Sequence, residues 1–445
     1  MKQLISTIIV ALCFLHASGQ QYTLEQVTQL ALRNNATATA ARHNVETAQE
    51  QRKQAFTNFF PSVSATGLWF NANKPMATME INPSEVIPPE LGATLGQLLP
   101  PEALAGLAAP ISFSMLKHGI VAGVSATQPV FAGGQIVNGN KLARVAEDAS
   151  RLQLNLAENT VEKTAAQYFW QIVTLQEKSR TIAAAESLLN DIHKDVELAV
   201  RVGVAMRNDL LQVQLRQNEI ASQKLRVNNA IALSHMLLAQ YCGMQDTTFT
   251  LVHPATLIEP ETLRRDHQTA LYATNEYQLL EKQVEASKLQ VRMETGKNLP
   301  TIAVGAGYNY HDLLDKGQSF GMIFATVSVP ISGWWGGSHA IKQKKIEQRK
   351  AMEQQADNAQ LLVIGMQHAW DNLVEAREQL SLAELSIVQA EENLRINRDH
   401  YNAGINKMSD LLEAQLLYQQ ACDKRTDAFA DYQNKVIAYR QAVGL

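Results

Sequence analysis

The feature that most constrains this chain is an internal duplication. Gly203-Val204-Ala205-Met206-Arg207-Asn208-Asp209-Leu210-Leu211-Gln212-Val213-Gln214-Leu215 aligns without a gap on Gly404-Ile405-Asn406-Lys407-Met408-Ser409-Asp410-Leu411-Leu412-Glu413-Ala414-Gln415-Leu416, at an offset of 201 residues. The same offset carries Pro129 onto Pro330 and Gly243 onto Gly444. Upstream the register changes to 239, pairing Leu24, Ala31, Leu32 and Pro61 with Leu263, Ala270, Leu271 and Pro300. The difference of 38 marks an insertion in the first half, between Pro61 and Pro129. Two copies of one supersecondary unit must bury their apolar faces on each other or on neighbours. The 445 residues also exceed what one ordinary core holds, about 250 to 300.

Each half reads in the same order: a helix, two strands, a very long helix, a tight turn and a returning helix. The long segments, about 139–201 and 338–400, contain no proline and almost no glycine, and are rich in good helix formers. At 1.5 Å per residue each reaches on the order of 90 Å. Leu152, Leu156, Tyr168, Ile172 and Leu175 recur at spacings of three and four, the pattern of coiled-coil seams. Four shorter segments, near 22–58, 207–242, 262–297 and 408–443, reach only about 55 Å, so two stacked end to end match one long helix. The expected division is a signal peptide over 1–19, a first repeat over 20–243, an equatorial connector over 244–261 beside both chain ends, and a second repeat over 262–445. The fold class is mainly α with a small β portion, built on long antiparallel coiled-coil helices.

Lys2, the apolar run from Leu4 to Leu15 and the small residues Ala17-Ser18-Gly19 form a secretory signal with cleavage near Gly19. Cys13 lies inside its apolar run, where ordinary cleavage discards it. Cys242 and Cys422 fall at heights about 30 Å apart along their helices, too far for a disulfide, whose Cα atoms lie within about 7 Å. The net charge is −4 with both signs interspersed, which excludes the basic stripe that nucleic acid requires. Beyond the signal no stretch approaches the 18 or so apolar residues of a membrane-spanning helix. A membrane crossing would have to be made by strands of a closed barrel.

The strands supply candidates. About 62–70, 118–128, 301–310 and 320–330 are each roughly ten residues, the length of a tilted membrane strand. Val63, Ala65 and Trp69 share one face, as do Ile120, Ala122, Val124 and Ala126, and Ile302, Val304, Ala306, Tyr308 and Tyr310. The opposite faces carry Ser62, Ser64, Thr66, Ser125, Thr127, Thr301 and Asn309, which suit a wet lumen. In the fourth strand Phe320, Met322 and Phe324 give way to Val327 and Val329 on the other parity, as a bulge or a protein-covered end would produce. Trp69, Tyr308, Tyr310, Trp334 and Trp335 fall near strand ends, where they fit an interfacial girdle or the cap of a soluble sheet. Four strands cannot close a barrel, so strands in a membrane imply several chains sharing one.

A signal peptide, a 200-residue duplication, two long helices, and turns reading Arg201-Val202-Gly203 to Asp209 and Tyr401-Asn402-Ala403-Gly404 to Asp410 together resemble the TolC-like outer membrane efflux proteins, over nearly the whole mature chain. The resemblance implies a homotrimer in which each chain gives four strands to a twelve-stranded transmembrane β-barrel and the helices form a periplasmic α-barrel. It implies an exit duct of a tripartite efflux pump or type I secretion system in the Gram-negative outer membrane. The implied partners are outer membrane lipids, a periplasmic adaptor (membrane fusion) protein, and an inner-membrane RND, ABC or MFS transporter, with no cofactor. It places a periplasmic constriction on Asp410 and Glu413, and tip restraints on Asp209 and Tyr401 beside the turn glycines Gly203 and Gly404. A basic residue expected two positions past the second turn glycine is replaced by Asn406.

Other readings of these residues stand beside that one. Asp209 with Gln212, and Asp410 with Glu413, also read as helix N-terminal caps, and the two roles are compatible. The glycines suit the left-handed end of a helix. No His-Glu-x-x-His, phosphate-binding Gly-x-x-x-x-Gly-Lys or Cys-x-x-Cys occurs, so no enzyme is expected. The competing class is a soluble periplasmic coiled-coil scaffold without a pore. Residues 71–117 hold seven of the thirteen prolines, and the resemblance implies that they form a long extracellular loop between strands.

Overall fold

The computed structural model describes residues 21–100, 103, 110–115, 117–253, 257–313, 317–331 and 333–445. The signal segment with Cys13, part of the insert and Pro254 lie outside them. Along the chain run β1 (Gln21–Thr23), α1 (Leu24–Asn34), α2 (Ala36–Thr57), β2 (Ser62–Asn71), β3 (Ala77–Ile81), α3 (Pro83–Val86), α4 (Pro89–Leu98), β4 (Ile111–Met115) and β5 (His118–Ala132). Then follow α5 (Gln135–Arg201), α6 (Arg207–Cys242), β6 (Thr250–Val252), α7 (Pro260–Leu263), α8 (His267–Ala270), α9 (Asn275–Lys297), β7 (Thr301–Asp312), β8 (Gln318–Ser328), α10 (Gly333–Asn402) and α11 (Met408–Ala442). This is the mainly helical fold with a small sheet that the sequence implied. Helices α5 and α10 hold 67 and 70 residues, about 100 Å each.

The chain divides into two compact units. The helical unit contains Val145–Ala286 and Arg349–Leu445 together with the segment up to Glu50. Its main core cluster has Trp170, Tyr432, Tyr439 and Phe169 as its largest fully buried side chains, with small Ala165, Ala166 and Ala376 letting backbones approach. Burying a large apolar side chain there contributes about 1.5–3 kcal/mol before packing terms. Trp370 packs on Tyr439 at 5.2 Å between ring centroids, and Trp170 on Phe429 at 5.5 Å. Segment 244–261 is fastened to this core. β6 pairs in parallel with β1, Tyr432 Oη donates to the Ile258 carbonyl, and Arg377 holds Glu259 with two hydrogen bonds of 3.3 and 3.1 Å.

Two of the shorter helical segments are broken where the sequence pattern runs on. Helix α1 ends at Asn35, which is extended (ψ 136°), before α2 begins. The second break falls at Thr274, at the repeat offset of 239 from Asn35. Both residues are buried polar groups. Asn34 Nδ2 donates to the Cys242 carbonyl (2.9 Å) and Asn35 Nδ2 to that of Tyr241 (3.2 Å), satisfying the open end of α6. In the second repeat Gly444, which follows α11, lies against Ala273 and Thr274. Cys242 is buried at this junction and its thiol is pushed up to about 12 by desolvation; it and Cys422 are both free.

The sheet unit comprises Gln51–Arg144 and Ser287–Gln348. Its four-stranded antiparallel sheet has the order β2-β5-β7-β8. Register confirms the faces read in the first three strands, with Trp69 paired to Ile120 and Val124 to Tyr308; in the fourth it puts Ile323 and Val327 on the apolar face and Phe320, Met322 and Phe324 on the Ser and Thr face. That apolar face is open, with Ile323 90%, Trp69 69% and Tyr308 62% exposed. On the other face Ser64 and Ser125 share a hydrogen bond of 3.2 Å. The fourth strand carries no bulge, because β7 and β8 pair without interruption from Thr301–Ser328 to His311–Gln318. Phe324 instead lies across Gly305, where an added Cβ would stand 2.3 Å from the ring. The sheet's irregularity is on β5, between Pro129 and Phe131. In the insert, β3 and β4 pair as a separate two-stranded sheet.

Candidate functional site

The turns between long and returning helices are built alike. Helix α5 closes at Gly203 (φ +83°) with the Val204 N–H donating back to the Ala199 carbonyl at 2.9 Å. Helix α10 closes at Gly404 (φ +74°), with Ile405 reaching His400 at 2.9 Å. A positive φ at this place costs an L-residue with a Cβ about 1–2 kcal/mol, which is why both positions are glycine. Asp209 Oδ2 then accepts from the Met206 N–H, and Asp410 Oδ2 from the Lys407 N–H, each at 3.2 Å. Each aspartate thus satisfies an open backbone donor and sets negative charge on the positive end of its helix.

The two turns share one apolar cluster: Ile192, Val196, Val213, Met408 and Leu411 are buried, with Tyr401, Val200 and Leu412 packed on them. Tyr401 is therefore brought beside the first-repeat turn, and its phenol is pushed up by burial, with the Asp209 and Asp195 carboxylates adding to the effect. Asp410 and Glu413 are exposed, and Glu413 has no partner among the described residues. Asn406, standing where a basic residue was expected, is tied back within its own repeat: its Nδ2 donates to Asn397 Oδ1 at 2.8 Å.

Sequence reasoning missed a polar link just above the turns. Arg216, only 8% exposed, donates from Nε to Gln415 and from Nη2 to Gln419, both at 3.2 Å, and pairs with Glu219 at 2.7 Å. These bonds join α6 to α11. An arginine among Gln-rich helical stretches gives no signal until the partner helix is known.

The aromatic candidates fall at two levels of the sheet. Trp69 pairs with Ile120, and Tyr310 with Ala122, toward the end of the strands nearer the insert. Trp334 and Trp335 follow β8 at the opposite end, where the Trp334 indole N–H donates to the Asn298 carbonyl at 2.9 Å. Phe56, Phe59 and Phe60 cluster beside the start of β2 with ring centroids 5.5–5.6 Å apart and are largely exposed, an aromatic group not singled out in the sequence. No helix of the described residues is long and apolar enough to cross a membrane, which leaves the sheet as the element to consider.

The open four-stranded sheet, long paired helices and glycine-closed turns are a fold shared with solved outer-membrane proteins. The solved outer membrane protein VceC of Vibrio cholerae superposes with a TM-score of 0.74 at 14% identity, covering 95% of this chain and 96% of its own. The CmeC outer membrane channel of Campylobacter jejuni gives 0.75 at 15% identity, covering 95% of this chain and 85% of its own. The outer membrane protein TolC of Vibrio cholerae is 18% identical over 334 residues, 73% of this chain and 76% of that protein. Residues 268–445 match the family model of the outer membrane efflux proteins. The chain is thus similar to this family in the sequence of residues 268–445, and to solved outer-membrane proteins in its fold.

Proposed function

We propose that the chain is one subunit of an outer-membrane exit duct, serving a tripartite efflux pump or type I secretion system. The observation that carries this reading is the sheet. It exposes a continuous apolar face, and its edge strands β2 and β8 have no further neighbour among the described residues. In hydrocarbon each unpaired backbone group would cost several kcal/mol, so β2 of one copy must pair with β8 of the next until a barrel closes. Three copies would give the twelve-stranded barrel of the family. The Ser and Thr face then lines water, and the helices extend into the periplasm toward an adaptor protein and an inner-membrane transporter. The duct performs no catalysis.

Asp410 and Glu413 are the constriction of this duct in our reading. Their exposure, one turn apart and without partners of their own chain for Glu413, supports it: around a threefold axis they supply a ring of carboxylates that attracts cations. The experiment is membrane fractionation with the mass of the detergent-extracted oligomer. Recovery in the outer membrane as a trimer is expected. A soluble periplasmic species would contradict the duct and favour a scaffold.

A further inference from the structure

All four junctions between strands and helices lie along one edge of the sheet: α2 leads into β2, β5 into α5, α9 into β7, and β8 into α10. The helical stretches at that edge carry a charge imbalance that the whole chain lacks. The chain's net charge is −4, yet residues 51–61, 133–144, 287–300 and 333–348 hold ten Lys and Arg against two acids. Both acids are already paired within their own helices, Glu294 with Lys297 at 2.8 Å and Glu347 with Lys344 at 2.6 Å.

The basic residues obey the duplication. Lys141 and Arg144 fall on Lys342 and Lys345 at the offset of 201, and Lys53 on Arg292 at the offset of 239. All six are exposed. Lys141, Arg144, Lys342 and Lys345 make no ion pair among the described residues. Lys342 follows Trp335 by seven residues, about 10 Å along the helix, and an extended lysine reaches back several ångströms toward the sheet. The order away from the apolar face is therefore exposed aromatics, then unneutralised cations. That is the order of a membrane's acyl boundary and its phosphates.

We propose that this basic collar binds the anionic headgroups of phospholipids in the leaflet next to the helices. The proposal rests on the outer-membrane reading. Lipid phosphates supply the counter-charge that the protein lacks there, at a height fixed by the aromatics. The attraction acts over the screening length of the solution, about 10 Å at 0.1 M salt and about 3 Å at 1 M.

The test uses the full-length protein in vesicles of brominated phosphatidylglycerol or brominated phosphatidylcholine, read by quenching of tryptophan fluorescence in mixtures of the two. The expected result is a several-fold preference for phosphatidylglycerol in the wild type that fades as salt rises. K141Q/R144Q/K342Q/K345Q should insert equally and show no preference, while the same four positions exchanged Lys for Arg and Arg for Lys should keep it. Equal quenching by both lipids in the wild type would overturn the collar and leave an acidic protein partner as its occupant. A preference that survives in the glutamine variant would also overturn it. Should that variant fail to insert, the salt dependence of the wild type and the K53Q/R292Q pair decide the matter. Absence of quenching by either lipid would instead overturn the outer-membrane reading itself.

Discussion

The two halves of the chain share an order of long helix, glycine turn and returning helix and differ in what they hang on it. Their turns align residue for residue at an offset of 201, with glycine at the left-handed position and an aspartate closing onto the helix N-terminus in both. Yet Gln212 becomes Glu413, Val200 becomes Tyr401 and Ala205 becomes Asn406. Between their strands the first repeat carries 71–117, whereas β7 and β8 are joined by a short loop. Features that keep a helix closed are thus duplicated, and features that need only one copy per subunit are not. The charge ring proposed above is of the second kind, since one acidic turn per subunit would suffice for it.

The sharpest way to break this comparison is to neutralise each turn in turn. Asp410→Ala with Glu413→Ala should raise the divalent-cation concentration that half-blocks the pore by about tenfold. Asp209→Ala with Gln212→Ala should leave block nearly unchanged. Equal effects from both repeats would dissolve the distinction.

Smaller, and equal in the two repeats, is the cost of a side chain at the turn glycines. Gly203→Ala and Gly404→Ala should each lose about 1 kcal/mol, measured by denaturant unfolding of the helical content. A cost at one turn only would show that the two turns are not the same structure.

Tyr401 gives an alkaline signature that the first repeat, with Val200, lacks. Its pKa is raised in the folded state above the usual value of about 10, so its contribution is fully present below that pH and is lost as pH climbs through the folded value. Tyr401→Phe should flatten the loss of stability above about pH 10. Identical alkaline unfolding of wild type and variant would remove Tyr401 from the restraint.

The smallest expected effect is at the insert. Deleting residues 76–114 should leave assembly of the proposed trimer intact, as read by the mass of the extracted oligomer, because among the described residues β3 and β4 pair only with each other. Loss of the trimer would make the insert part of the subunit contact.

What could be read from the sequence follows the range of the interactions involved. The long helices and the strand faces were legible because periodicity is local: Ile302, Val304 and Tyr308 alternate, and their pairing across β5 and β8 follows. The breaks at Asn35 and Thr274 were not, since Asn34 and Asn35 are held by the Cys242 and Tyr241 carbonyls more than 200 residues away and their own neighbours favour helix. The fourth strand looked irregular because the reason for Phe324 sits on another strand, at Gly305. Among the candidate site residues, an acidic helix start was legible but its register was not: the Asp-x-x-Gln and Asp-x-x-Glu spacing puts the cap on Asp209 and Asp410, whereas each stands three residues in and accepts from the Met206 or Lys407 N–H. The Arg216 link and the basic collar needed the fold, because each gathers residues from segments far apart in the chain.

The account stands most directly on the ionic conductance of the purified full-length protein in a planar lipid bilayer. It predicts small, long-lived, cation-preferring steps that D410A/E413A enlarges and makes less cation-selective. A protein that stays outside the bilayer, or one that conducts with no preference for cations, would contradict it.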